Sequence, residues 1–333
     1  MTTIRERIEQ AEAKALAPEA ARAAESKGRD VPESPHPYRT AFMRDRDRIL
    51  HCKAFRRLAH KTQVFMDPQG DHYRERLTHT LEVTQVARTI ARVLLLNEDL
   101  TEAICLGHDL GHTPFGHLGE EVLSEFLGRT FRHNEQSLRI VERLENSGRG
   151  LNLTWEVRDG ILNHTWSMPL PDTLEAQVAR YADRIAYLSH DIDDALRASI
   201  LALTDLPEVT NRVLGTTPSA RVDAMVGSLV EASAGAGKIA MGADVFEALI
   251  ETREFMFERV YNRPELAEEQ HRVSAQLREL LSYLSKHPDR VPEEGQSGDD
   301  FETRLTDYVA GMTDRFALRE HAGYVGEGKW QEE

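Results

Sequence analysis

Four side chains on three separated stretches have the types that hold a divalent cation: His79, the pair His108-Asp109, and Asp183. Two neutral imidazoles and two carboxylates form a mixed nitrogen and oxygen shell, with coordination positions left for water and substrate. The middle stretch runs on as His108-Asp109-Leu110-Gly111-His112-Thr113-Pro114-Phe115-Gly116-His117-Leu118-Gly119-Glu120. His133 follows shortly after. A lone histidine on an apolar face is more often a hydrogen-bonded core residue than a ligand, and His79 taken singly reads that way. The combination weighs more, because buried ionisable groups cost free energy unless paired or metal-bound. The pattern points to a metal-dependent hydrolase.

Helices must position these groups. Apolar periodicity predicts helices at 75–96, 98–109, 117–127, 134–145, 154–164, 172–202, 218–232, 243–260, 264–286 and 301–317. In the first, Val83, Val86, Ile90 and Val93 form a stripe that His79 extends by one turn, so His79 faces inward. His108 continues Ile104 by one turn and faces inward too. In 172–202, Val178, Ile185, Ile192 and Leu196 form one face, and Asp183, Tyr187, Asp191 and Asp194 another. Acids on one helix face are ordinarily solvated; two inward histidines that need a further ligand reverse that reading. Residues 1–25 predict a polar helix, Ser26 to Pro37 a breaker-rich linker, and 287–300 a polar loop. Lys61 to Phe65 reads as a short strand closed by a turn at Asp67 to Asp71. The expected class is all-α, with at most a short β-hairpin.

Composition narrows the function. The chain has 333 residues and a formal charge of −15, which argues against a protein that coats nucleic acid. Within that acidic total, residues 39–61 carry eight Arg or Lys against Asp45 and Asp47. Guanidinium groups bind phosphate oxygens in bidentate fashion, so the block suits a polyphosphate, unless its acids pair the arginines. Cys52 and Cys105 are too few for a disulfide framework. With no apolar leader and no run of membrane-spanning length, the expectation is a cytoplasmic protein. Two other motifs lead nowhere. Ala232 to Lys238 lacks the first glycine of a phosphate-binding P-loop and has Ile239 in place of Ser or Thr. Cys105 near His108 hints at a thiol nucleophile, but the adjacent Asp109 fits metal binding better.

The pattern His79, His108-Asp109 and Asp183 resembles that of the HD-domain phosphohydrolases. More narrowly, the chain resembles the deoxynucleoside triphosphate triphosphohydrolases, the dGTPase-like family. The matching stretches are Arg44 to Ile49, Ala54 to Leu58, Lys61 to Phe65, Arg76 to His79, His108 to Glu120, His133 to Ser137, Ala182 to Tyr187 and Asp307 to Arg315. The resemblance implies an HD-type helical core at 38–202, preceded by a polar arm at 1–37 and followed by a C-terminal helical region at 203–333. It implies hydrolysis of a dNTP at the α-phosphorus, with release of deoxynucleoside and intact triphosphate.

Roles carry over with it. His79, His108, Asp109 and Asp183 would hold the metal: manganese or magnesium first, with iron, cobalt, nickel or zinc also admissible. His117 and Glu120 match the family's histidine–carboxylate pair near the scissile bond, and His112 and His133 match histidines along the phosphate channel. Arg76, Arg184 and Arg253 match phosphate contacts, although relatives often have Lys where Arg184 stands. Gln63 and Asp191 match groups near the 3′-hydroxyl, while Tyr187 and Tyr261 wall the sugar. The resemblance further suggests a homo-oligomer and leaves room for a dNTP effector. Two alternatives remain at this level: another HD-domain phosphohydrolase, such as a nucleotidase or phosphodiesterase, or a nucleotide-sensing scaffold with weak turnover.

Overall fold

Thr173 ends an extended stretch, and its hydroxyl accepts from the Ala176 N–H at 3.2 Å, which starts the Leu174–Arg197 helix. Thr217 does the same for Ala220, with Pro218 in the first turn of the Pro218–Ser233 helix. Helices make up most of the described residues. The structure, a computed structural model, describes residues 2–63, 74–261, 264–293 and 298–324, without the side chains of 264–267. No strand occurs among the described residues, only isolated bridges at Arg29–Thr154 and Thr62–Glu75. The second bridge is all that is seen of the predicted strand near Lys61. The rest of that strand and the predicted turn at Asp67 to Asp71 lie outside the described residues. No described helix is long and apolar enough to cross a membrane.

The chain divides into two compact units, each assembled from three separated stretches. The first takes residues 1–47, 79–106 and 154–264. Its centre is the Leu174–Arg197 helix, which packs on Trp155–Asn163 and Pro218–Ser233. Val178, Ile185, Leu188 and Ile192 are fully buried along it. Each such side chain contributes about 2 kcal/mol, which offsets the cost of burying Asp191 and Asp194 beside them. On the predicted acidic face, Asp191 and Asp194 are thus interior, while Asp183 and Tyr187 are only partly buried. Gly160 lets the Trp155–Asn163 helix lie close to Ile104, since a Cβ there would meet the Ile104 side chain at 2.6 Å.

The second unit takes residues 48–78, 107–153 and 265–333. Its core gathers Phe115, Val122, Leu123 and Phe131 with Leu277, Leu281, Leu284, Leu305, Val309 and Ala317. The helices His117–Leu127, Pro264–Lys286, Phe301–Ala310 and Asp314–Tyr324 supply most of them.

Several predicted helices are shorter than expected. The 301–317 helix breaks at Gly311, whose carbonyl accepts from Arg57 at 3.2 Å, and restarts after Thr313 caps Phe316. The N-terminal helix spans only Ile4–Ala15, because Pro18 disfavours helix at Ala17 and the Ala17 N–H donates to Leu95 instead. Residues 140–144, 210–214 and 257–261 adopt π-helical turns.

Candidate active site

In the first unit, the Arg76–Val93 and Leu174–Arg197 helices each bring one candidate ligand. His79 is buried, and its Nε2 lies 3.2 Å from Asp183 Oδ1. The next residue, Arg184, stacks its guanidinium 4.0 Å above the Trp166 ring. Trp166 is held in turn by a 3.2 Å bond from its Nε1 to the Arg180 carbonyl. One helical turn further, the Tyr187 hydroxyl accepts from Arg253 Nε at 3.0 Å. Asp191 accepts from the Tyr261 hydroxyl. Burial, then the Asp191 carboxylate beside it, holds the Tyr261 phenol well above its usual pKa, so it stays a proton donor. The structure thus brings His79 to Asp183, Arg253 to Tyr187, and Tyr261 to Asp191.

The second unit carries the histidine-rich turn. Gly111 lies against the His133–Arg139 helix so closely that a Cβ would sit 2.2 Å from Ser137 N and 2.3 Å from His133 O. Ser137 ties the contact, accepting from the Gly111 N–H at 2.8 Å and donating to the His108 carbonyl at 2.7 Å. Asp109 Oδ1 lies 3.4 Å from His108 Nε2 and 3.2 Å from His112 Nε2, and Oδ2 accepts from Arg76 Nη1 at 2.9 Å. Desolvation alone would raise this carboxyl. His108, His112 and Arg76 outweigh it and hold Asp109 ionised, well below its ordinary pKa. Burial, with Arg76 and His133 adding to it, lowers His112 to about 4, so that ring is neutral.

Glu120, one turn into the His117–Leu127 helix, organises the rest. Its Oε1 lies 3.1 Å from His112 Nδ1, 3.2 Å from His117 Nδ1 and 2.9 Å from His133 Nδ1. The rings of His112 and His133 stack at 3.9 Å. Against the cost of desolvation, these imidazoles hold Glu120 well below the usual carboxylate range. The His117 ring is 75% exposed although protein crowds its surroundings. Desolvation opposes its charging, but the Glu120 carboxylate wins and raises its pKa. With Nδ1 on Glu120, His117 has Nε2 as its other ring nitrogen to carry a proton.

Most of the basic side chains at 39–61 have partners within the protein, and Asp47 is among the acids that pair them. Arg39 pairs with Asp47, Arg44 with Glu33, and Arg46 with Asp99 and Asp47. Arg48 donates to the carbonyls of Leu151 and Asn152, Arg56 to that of His51 and Arg57 to that of Gly311. Asp45, expected to pair within the block, instead accepts from Arg29 and Thr154. Lys61 is buried with its ammonium on the His112 and Ala310 carbonyls, and desolvation lowers its pKa to about 7. Gln63 is half-buried beside it, and its Oε1 makes no hydrogen bond among the described residues. The rejected thiol nucleophile stays rejected, since burial and then Asp183 push Cys105 well above its usual pKa.

Sequence reasoning missed Lys61, Trp166, Ser137 and Asp314 as supports of the site. Lys61, Ser137 and Asp314 left a signal by lying in stretches already matched to a family pattern, and Trp166 left none.

An HD domain matches residues 76–193, and a phosphohydrolase-associated domain matches residues 239–323. The first range contains every candidate ligand and the histidine turn, and the second contains Arg253, Tyr261 and Asp314. A deoxyguanosinetriphosphate triphosphohydrolase-like protein of Caldanaerobacter subterraneus subsp. tengcongensis is 50% identical, over 99% of this chain and 98% of that one. Proteins of the same description from Desulfatibacillum aliphaticivorans and Clostridium tetani are 47% and 44% identical, each over 95% of this chain and over 96% and 94% of their own.

Proposed function

Because the chain belongs to the HD-domain, deoxyguanosinetriphosphate triphosphohydrolase-like family of phosphohydrolases, we propose that it hydrolyses a dNTP at the α-phosphorus. Water attacks that phosphorus, the bond to the 5′-oxygen breaks, and deoxynucleoside and intact triphosphate leave. The observation that carries this reading is the Glu120 cluster. Its carboxylate lies 3.2 Å from Nδ1 of the exposed His117 and raises the pKa of that ring. A 5′-alkoxide is a poor leaving group unless protonated, and His117 is the acid that protonates it, oriented by Glu120.

His79, His108, Asp109 and Asp183 are the proposed metal ligands. The His79–Asp183 and His108–Asp109 separations of 3.2 Å and 3.4 Å suit neighbouring donors on one ion, which lie roughly 3 Å apart when metal–donor bonds are about 2.1 Å. When bound, the cation lowers the pKa of water and polarises a phosphoryl oxygen. The imidazole and carboxylate set suits manganese or magnesium, and also admits iron, cobalt, nickel or zinc. Arg184 and Arg253 are the proposed phosphate contacts, with Arg76 acting on Asp109 as well. His112 and His133 line the phosphate path. Gln63, Tyr187, Asp191 and Tyr261 meet the sugar.

We further read the protein as a cytoplasmic homo-oligomer, open to a dNTP effector. Leu81, Val93 and Leu95 of the first unit are exposed apolar side chains that assembly could cover.

Incubation with each dNTP and Mn²⁺ in ¹⁸O-water tests the reaction. Triphosphate carrying the label and unlabelled deoxynucleoside are expected. Pyrophosphate or monophosphate as first product would replace the assignment with another phosphohydrolase, and nucleotide binding without turnover would leave a sensor.

A further inference from the structure

Asp314 begins the Asp314–Tyr324 helix, yet its carboxylate does not cap that helix. Thr313 does, accepting from Phe316 N at 3.3 Å. The Asp314 side chain reaches two other segments of its own unit. Oδ2 accepts from the Thr62 backbone N–H at 2.7 Å and from the Thr62 hydroxyl. Oδ1 accepts from the Phe115 N–H at 2.9 Å. Each segment leads directly to a residue of the proposed site. Thr62 precedes Gln63, and Phe115 with Gly116 leads into His117.

The second attachment falls where the backbone needs it. Phe115 has φ +60°, a left-handed conformation costly for an aromatic residue, and Gly116 follows at φ +59°. Such a conformation persists only where the surroundings over-determine it. The Phe115 ring is buried in the core, Thr113 Oγ1 donates to the Gly116 carbonyl at 2.7 Å, and Asp314 holds the Phe115 N–H. Lys61 runs in parallel, joining the His112 carbonyl to that of Ala310.

We propose that Asp314 is a positioning residue for the reaction: one carboxylate sets Gln63 and His117 in a common register, so sugar recognition and leaving-group protonation depend on it together. The proposal rests on the roles given above to Gln63 at the 3′-hydroxyl and His117 at the 5′-oxygen. Asp314→Asn is the informative change. The amide keeps the shape but turns an –NH₂ toward either the Thr62 donors or the Phe115 N–H, so one attachment must open.

The test compares wild type, Asp314→Asn and Thr62→Val with dGTP and 2′,3′-dideoxy-GTP in the presence of Mn²⁺. It reads kcat, KM, bound manganese and Tm. A displacement of about 1 Å costs roughly 100-fold in rate, so a kcat loss of that order is expected for Asp314→Asn with bound manganese unchanged. The preference for dGTP over the dideoxy analogue should shrink as well. Thr62→Val should move both quantities in the same direction by less. A folded Asp314→Asn enzyme with wild-type kcat overturns the proposal. So does an equal loss on both nucleotides with the preference intact, which marks a purely structural role. If Asp314→Asn does not fold, a wild-type kcat and preference in Thr62→Val overturn it. Absence of dNTP turnover in the wild type would instead strike the reaction assignment itself, and this proposal with it.

Discussion

Arg76 Nη1 donates to Asp109 Oδ2 at 2.9 Å, with both side chains nearly excluded from solvent. A cation that fixes a ligating carboxylate is an outer-shell support, and removing such a partner typically costs 10–100-fold in metal affinity. Arg76→Ala should therefore weaken manganese binding by about that factor, as read by metal titration. Arg76→Lys keeps the charge without the planar fork and should fall between. Unchanged affinity in Arg76→Ala would leave Arg76 with phosphate alone.

Asp183 and Asp191 occupy one helix but have different partners, His79 and Tyr261. Asp183→Ala should abolish bound metal and activity. Asp191→Ala should retain metal and raise KM. Metal analysis with the opposite outcome would exchange their roles.

The His117 pKa is raised above its ordinary value, and its proposed role needs the protonated ring. Activity should accordingly fall as pH climbs through that raised value, later than it would for an ordinary imidazole. Glu120→Gln removes the carboxylate that holds the proton, so the alkaline limb should move to lower pH. His117→Ala should lower kcat by roughly 10²–10⁴-fold, the usual contribution of a general acid, and should erase the limb. A pH–rate profile identical in Glu120→Gln would reject the assignment.

Tyr261 bonds Asp191 through its hydroxyl, while its ring makes an edge contact with Phe257 at 5.0 Å. Tyr261→Phe keeps the ring and should leave the dGTP to GTP ratio unchanged. Tyr261→Ala should raise GTP turnover relative to dGTP if the ring gates the 2′-position. Equal ratios in all three enzymes would reduce Tyr261 to packing.

Much of this arrangement was legible in the sequence because local periodicity carries it. The inward placement of His79 and His108 follows from apolar residues three and four positions away, and both are buried. The helix break at Gly311 was not legible. It depends on an Arg57 side chain distant in sequence and on a cap at Thr313, neither of which leaves a periodic trace. The partners of the basic block were not legible for the same reason. Charge density is visible in sequence, but Arg46 is satisfied by Asp99, and Arg48 by carbonyls at Leu151 and Asn152. Trp166 was invisible as a platform for Arg184, since stacking partners show no fixed spacing.

The close approach at Gly111 has a genetic consequence. A side chain there would meet the Ser137 amide nitrogen and the His133 carbonyl, both main-chain atoms, at 2.2 and 2.3 Å. Trimming a neighbouring side chain cannot relieve a collision with a peptide backbone. Selections for second-site suppressors of Gly111→Ala should therefore return revertants at codon 111 and few substitutions elsewhere. The distance between the segment bearing His108 and the helix that begins at His133 is in this sense inherited as a fixed length.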